Sequence, residues 1–138
     1  LLRRLVHEHL GQELNKEEDY QYYLKRALNY QNVFDTATGF MRPKTADGRW
    51  IEPFDPIWSG GQGRREFYTE NNGWNYTWYV PHDVEGLIGL MGGREKFTDK
   101  LQTMFETNVP LYQKYDFLKQ YPDMTGWIGM YSHGNEIT

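Results

Sequence analysis

The sequence predicts a mainly α-helical architecture whose helices are joined by long, aromatic, Gly/Pro-rich loops. Two observations carry this. Apolar residues recur at helical spacing in several segments, and nothing alternates with period two for long enough to make a sheet. A third adds the loops: the stretch between Asp35 and Gly63 is dense in Gly, Pro, Asp and Thr yet rich in Trp, Phe and Ile. Antiparallel helix pairs with such connections fit an all-α or mainly-α domain.

The first segment, "LLRRLVHEHLGQEL", puts Leu2, Leu5, Val6, His9 and Leu10 on one helical face, weakened by Gly11. Asn15 followed by Glu18 has the spacing of a capping box. It opens a second helix in which Tyr20, Tyr23, Leu24, Ala27 and Leu28 share a face, running to about Asn32. Pro43, Pro53 and Pro56 then forbid a long helix, and Asp47-Gly48 signals a turn. Phe40, Trp50, Ile51, Phe54, Ile57 and Trp58 argue for an ordered excursion over one end of the domain. A short hairpin near Phe40 to Ile51 is compatible with this. Val84, Leu87, Ile88 and Met91 mark another helix, with Asp83 as N-cap and Gly92-Gly93 as stop. Phe97, Leu101, Met104 and Phe105 mark the next. "NVPLYQKYDFLKQYPDMTG" reads as connecting structure with one helical turn.

Composition narrows the function. The length of 138 residues suits one domain. A mean hydropathy of −0.83 is polar for that length, while aromatic residues reach 17%, so much apolar mass carries an O–H or N–H needing a partner. Net charge is −4 with no basic run, which removes the electrostatic footprint of nucleic-acid binding. The absence of cysteine excludes disulfides and thiolate metal sites. No window approaches the ~18 apolar residues of a membrane span, and no signal peptide is visible. The chain starts at Leu1 without Met and stops just past a polar cluster, so both ends look like cuts through a larger protein.

The chemistry concentrates between Phe67 and Gly93, "FYTENNGWNYTWYVPHDVEGLIGLMGG". Glu70 sits among Tyr68, Trp74 and Tyr76. A general acid that breaks an acetal must hold its proton near neutral pH, and burial among rings disfavours the charged carboxylate. Glu70 is therefore expected to be enclosed by these rings, near the His-Gly-Asn-Glu turn at the end of the chain. The competing reading is a surface Glu before a turn at Asn71-Asn72-Gly73. Trp74, Tyr76, Trp78 and Tyr79 offer faces for the C–H faces of sugar rings and polar tips for hydroxyls. Core packing competes here too, leaving at best two of the four for a ligand. His82 and Asp83 serve equally as a carbonyl-bonded imidazole and a helix cap. His133, Asn135 and Glu136 surround a glycine that frees the backbone to converge them. Their oxygens suit Ca²⁺ better than Zn²⁺, but two oxygens do not complete a site. The spacing of His7-Glu8-His9 does not bring two imidazoles to one ion. Ser132-His133 lacks the Gly-x-Ser-x-Gly context of a hydrolase nucleophile.

At these residues a family resemblance emerges. "YTENNGWNYTWYVPHDVEGLIGLMGG" resembles the signature of glycoside hydrolase family 92, the calcium-dependent exo-acting α-mannosidases, whose members read Glu-Gly-Asn-Ala-Trp-Gln-Tyr, Val-Pro-His-Asp-Val and Leu-Met-Gly-Gly. "MTGWIGMYSHGNE" and "TGFMRPKTADGRWIEPFDP" are similar to further motifs of that family, in the right order, so the likeness runs from about Tyr20 to the end. It implies a piece of an (α/α)6 barrel catalytic domain, without the family's β-sandwich domain or the C-terminal part of the barrel. It implies inverting hydrolysis of terminal α-linked mannose, assisted by Ca²⁺ that binds the sugar's 2- and 3-hydroxyls. Glu70 matches the family's general acid. Asn135 and Glu136 match a family motif at the active centre and are taken here as the metal-binding residues. Trp74, Tyr76, His82, Asp83 and His133 match pocket positions expected to bind substrate. The partners implied are an α-mannoside or mannan glycan, N-glycans included, and the remainder of the polypeptide. Location would be periplasmic or secreted. The sequence departs from the pattern at Asn71, Gly73, Asn75 and Met130, where Gly, Ala, Gln and Gln are usual. No Gly-Asn-Asp motif that would supply the catalytic base is present, and the isolated segment is expected to be inactive. A non-catalytic carbohydrate-binding protein of the same fold, or another helical-barrel glycosidase, is the alternative.

Overall fold

A computed structural model describes residues 16–60, 67–129, 132–133 and 136–137, the last two pairs as backbone only. The expected first helix, Asn15 of the capping box, and Asn135 lie outside the described residues.

Helix outweighs strand. Helix α1 spans Glu17–Ala27, with Glu17, Glu18 and Asp19 in its first turn and Lys25 and Arg26 in its last. That charge order complements the helix dipole. No residue of α1 is fully buried, and Tyr23 and Leu28 are exposed. The helix ends earlier than its periodicity suggests and tightens into a 3₁₀ turn over Asn29–Asn32.

Among the described residues three two-stranded antiparallel ladders correct the expectation that no sheet forms. Strand β1 (Phe34–Asp35) pairs with β2 (Phe40–Met41). Strand β3 (Asn108–Pro110) pairs with β4 (Thr125–Trp127), and β5 (Ser132–His133) with β6 (Glu136–Ile137). Runs of two or three residues are too short to show a period of two. The expected hairpin near Phe40 to Ile51 is a single bridge, Lys44 to Trp50, around the Asp47-Gly48 turn.

Helix α2 is one turn, Gly73–Tyr76. Helix α3 (Val84–Leu90) is capped by the Asp83 carboxylate, which accepts from the Gly86 N–H at 3.1 Å. It stops at Gly92, whose φ of 89° a side chain would resist. Helix α4 follows over Arg94–Glu106. Phe34, Met41, Val80 and Leu87 form one core, joined by Tyr30, Trp78, Leu90, Met91 and Phe97. Leu111, Tyr115 and Leu118, from two 3₁₀ turns, form a second with Tyr112 and Trp127.

Of the excursion expected over 35–63, the described residues, to Gly60, are ordered, as the aromatic content predicts. Arg42, only 8% exposed, holds its start. The guanidinium bonds Asp35 and the Ile51 carbonyl, each at 3.0 Å, pairs with Glu52, and lies over the Phe54 ring. At the far end Ser59 N–H donates to Lys114 O and Gly60 N–H to Asn71 O.

Candidate active site

Asn72 organises the site. Fully buried, it caps α2 through its side-chain oxygen, which accepts from Asn75 N–H at 3.3 Å. Its amide nitrogen donates to Ile57 O at 3.1 Å and Ile128 O at 3.2 Å. One side chain thus joins the excursion, α2 and the strand leading to the C-terminal motif. Gly73 N–H adds a bond to Pro56 O. The Asn71-Asn72-Gly73 run is therefore a buried helix start and not a surface turn.

Glu70 precedes this knot. Among the described residues it is the one non-glycine residue with positive φ, 58°. Such backbone costs about 1–3 kcal/mol and clusters at functional sites. Thr69, Glu70, Asn71, Asn75, Tyr76 and Tyr79 line an open cavity of about 410 Å³. That is the size and lining of a small-ligand site: aromatic faces, amides and one carboxylate.

The rings do not enclose Glu70, which is exposed. This corrects the expectation that they bury it, and the reason is where their polar tips go. Tyr68 is buried and donates its O–H to Met41 O, and burial raises its phenol pKa. Tyr76 stacks on Tyr68 at 5.4 Å and donates to Thr69 O at 2.8 Å. Trp74 turns to Phe40, edge to face at 4.9 Å. The Lys100 amine sits over both rings, at 3.2 Å from the Phe40 centroid and 4.7 Å from that of Trp74. Burial pushes that amine down to about 8.

Of the four aromatic residues weighed for a ligand, Tyr76 and Tyr79 line the cavity, and Tyr79 is 78% exposed. Trp74 does not line it. Trp78 packs into the core, donating Nε1–H to Met104 Sδ at 3.0 Å. Thr69, Asn71 and Asn75 join the cavity without having been named for it. Their signal was proximity to Glu70 and the polar departures at 71 and 75.

His82 and Asp83 line a different depression, with Leu24, Lys25, Ala27 and Leu28. His82 donates Nε2–H to Ala27 O at 2.7 Å, which sets its tautomer. Asp83 accepts from the Tyr30 hydroxyl at 2.9 Å besides capping α3. Both residues tie α3 to the end of α1. His133 and Glu136 are backbone register partners in the β5–β6 ladder. Among the described residues no three His, Asp or Glu side chains form a metal-holding group. Asn135 and the Glu136 side chain, expected at a calcium ion, lie outside what the structure describes.

The site is thus a carboxylate beside an aromatic and amide-lined cavity, set on short helices and ordered loops. Residues 5–138 match the glycosyl hydrolase family 92 catalytic domain, and the chain belongs to that family. It is similar to a solved family 92 α-mannosidase of Bacteroides thetaiotaomicron, with 40% identity and a TM-score of 0.63, over 72% of this chain and 13% of that one. The same mannosidase in complex with mannoimidazole aligns with a TM-score of 0.66 at 39% identity, over the same shares of the two chains. A family 92 inverting mannosidase from Bacteroides thetaiotaomicron VPI-5482 aligns at 38% identity and TM-score 0.60, over 69% of this chain and 12% of that one. An uncharacterized secreted glycosidase of Arthroderma benhamiae is 33% identical over 122 residues, 72% of this chain and 15% of that protein. The chain therefore spans about an eighth to a seventh of the length of these relatives.

Proposed function

We propose that this chain carries the general-acid side of an α-mannosidase active site, in an enzyme that removes terminal α-linked mannose from glycans or mannosides. The observation that carries it is Glu70: a carboxylate in left-handed backbone at the lip of a sugar-sized cavity. Family membership and two mannosidase neighbours support the substrate class.

In this reading the Glu70 carboxyl gives its proton to the glycosidic oxygen as the bond to the anomeric carbon breaks. Water attacks the opposite face, deprotonated by a carboxylate about 6.5–9.5 Å away. That base comes from elsewhere in the polypeptide. Attack from the far side inverts the anomeric centre, as the printed description of one neighbour says of that enzyme. Tyr76 and Tyr79 offer ring faces to the sugar, and Asn71 and Asn75 offer amides. Trp74, His82 and Asp83 lie outside this cavity, and in this reading His133 binds the sugar. The substrate and the rest of the barrel supply the enclosure that this chain leaves open over Glu70.

Calcium belongs to the same proposal. Asn135 and Glu136 would hold the ion with oxygens from other segments, and the ion would bind sugar hydroxyls. A strong chelator is expected to abolish mannose release by the complete enzyme, and added Ca²⁺ to restore it. Full activity in the chelator would remove the metal from the scheme. A location outside the cytoplasm is consistent with the secreted relative. Among the described residues no helix is long and apolar enough to cross a membrane.

The test of Glu70 uses leaving groups. Glu70→Gln in the complete enzyme should lower kcat/KM on an alkyl α-mannoside by about 10²–10⁴. A nitrophenyl mannoside, whose leaving group needs no proton, should lose far less. Equal losses on both would show that Glu70 is not the acid.

A further inference from the structure

We propose that the substrate is mannose joined to a second sugar, and that a groove beside the Glu70 cavity, walled by Phe67, Tyr79 and Val33, holds that second sugar as the leaving group. This rests on the mannosidase reading above. The groove measures about 310 Å³ and shares Tyr76 and Tyr79 with the cavity that Glu70 lines. The two depressions therefore adjoin across one pair of rings. A general acid protonates the oxygen between the released sugar and the group that departs. Two adjoining sites, one of them lined by the acid, are what such a bond requires. The size lies at the lower end of ligand pockets, about 300–1,000 Å³, and suits one ring better than a long chain.

The walls are within reach of a ligand. Phe67 is 43% exposed and Val33 38%, and Tyr79 is the most exposed large ring of the described residues. Exposed apolar surface gathered in one groove marks a binding site more often than scattered single residues do. Tyr68 and Tyr76 spend their hydroxyls on Met41 O and Thr69 O, so the groove meets their rings and not free polar tips. Among the described residues that line it, the one charged side chain is Arg42, which is buried and already paired with Asp35 and Glu52. A phosphate leaving group would find no uncommitted cation among them. The C–H face of a neutral sugar ring matches such walls, with its hydroxyls turned to solvent.

The experiment compares the complete wild-type enzyme with Phe67→Ala and Val33→Trp on two kinds of donor. One kind is the set of α-linked mannobioses. The other is α-mannosyl fluoride, whose leaving group is a single atom and fills no groove. Phe67→Ala removes one wall and should lower kcat/KM on the best mannobiose about tenfold. Val33→Trp fills the groove and should lower it at least as far; it carries the test if the alanine variant does not fold. Both variants should lose far less on the fluoride. Equal losses on the two kinds of donor, or no loss on mannobiose, would overturn the proposal. So would a wild type that cleaves α-mannosyl phosphate and no mannobiose. A wild type that cleaves none of these donors would bring down the mannosidase reading itself, a result distinct from an active enzyme whose leaving-group preference the variants do not move.

Discussion

Asn72 and Asp83 both cap short helices, yet only one showed itself in the sequence. Asp83 directly precedes an apolar run at helical spacing, and that local signal sufficed. Asn72 precedes a four-residue turn, and its other partners are carbonyls 15 and 56 residues away. No local pattern encodes such bonds. Glu70 was found by its aromatic company, and its exposure agrees with the competing surface reading, because Tyr68 and Tyr76 give their hydroxyls to backbone carbonyls. Trp74 reads as a sugar platform only until Phe40 and Lys100 occupy its surroundings. Truncating Asn72 should be severe. Asn72→Ala loses the cap and leaves two buried carbonyls unpaired, costing about 2–4 kcal/mol. Thermal unfolding of the complete protein should show a midpoint several degrees lower. A midpoint within a degree of wild type would show that these bonds are replaceable.

Helices α3 and α4 were legible from their period, because burying one face requires it. The short ladders were not, since long-range pairing decides them. The excursion after Met41 was legible as ordered but not in its fastening, which is one buried arginine. Burial alone would raise the Asp35 pKa. The hydrogen bond from Arg42, with Ala37 N–H and Thr38, outweighs burial and holds the carboxyl below its usual value. A depressed carboxyl stabilises the fold fully above its unfolded pKa of about 3.9. That contribution is lost as pH falls through the lower folded value. Asp35→Asn, which leaves Arg42 without one buried counter-charge, should cost about 3–5 kcal/mol at pH 7. The gap from wild type should narrow in acid unfolding below about pH 4. A gap that stays constant from pH 7 to pH 3 would show that the ion pair is not the source.

At the scale of the molecule, the family was legible because its motifs are long and ordered along the chain. Among the described residues no closed barrel forms, and the (α/α)6 barrel stays what the resemblance implies. The match spans 13% of the solved mannosidase. The purified 138-residue chain is accordingly expected to release no mannose from an α-mannoside under conditions where the complete enzyme does. Turnover by the chain alone would mean that both carboxylates lie within it. The knots at Asn72, Gly73 and Gly60 fasten the excursion near its far end, as Arg42 does near its start, while the Asp47-Gly48 tip hangs exposed between them. Lengthening a tip of this kind is thermodynamically mild, about 0.6 kcal/mol for each doubling of the loop. Insertions and deletions there can lengthen the tip while the bonds of Arg42 at one end and of Asn72 at the other stay as they are.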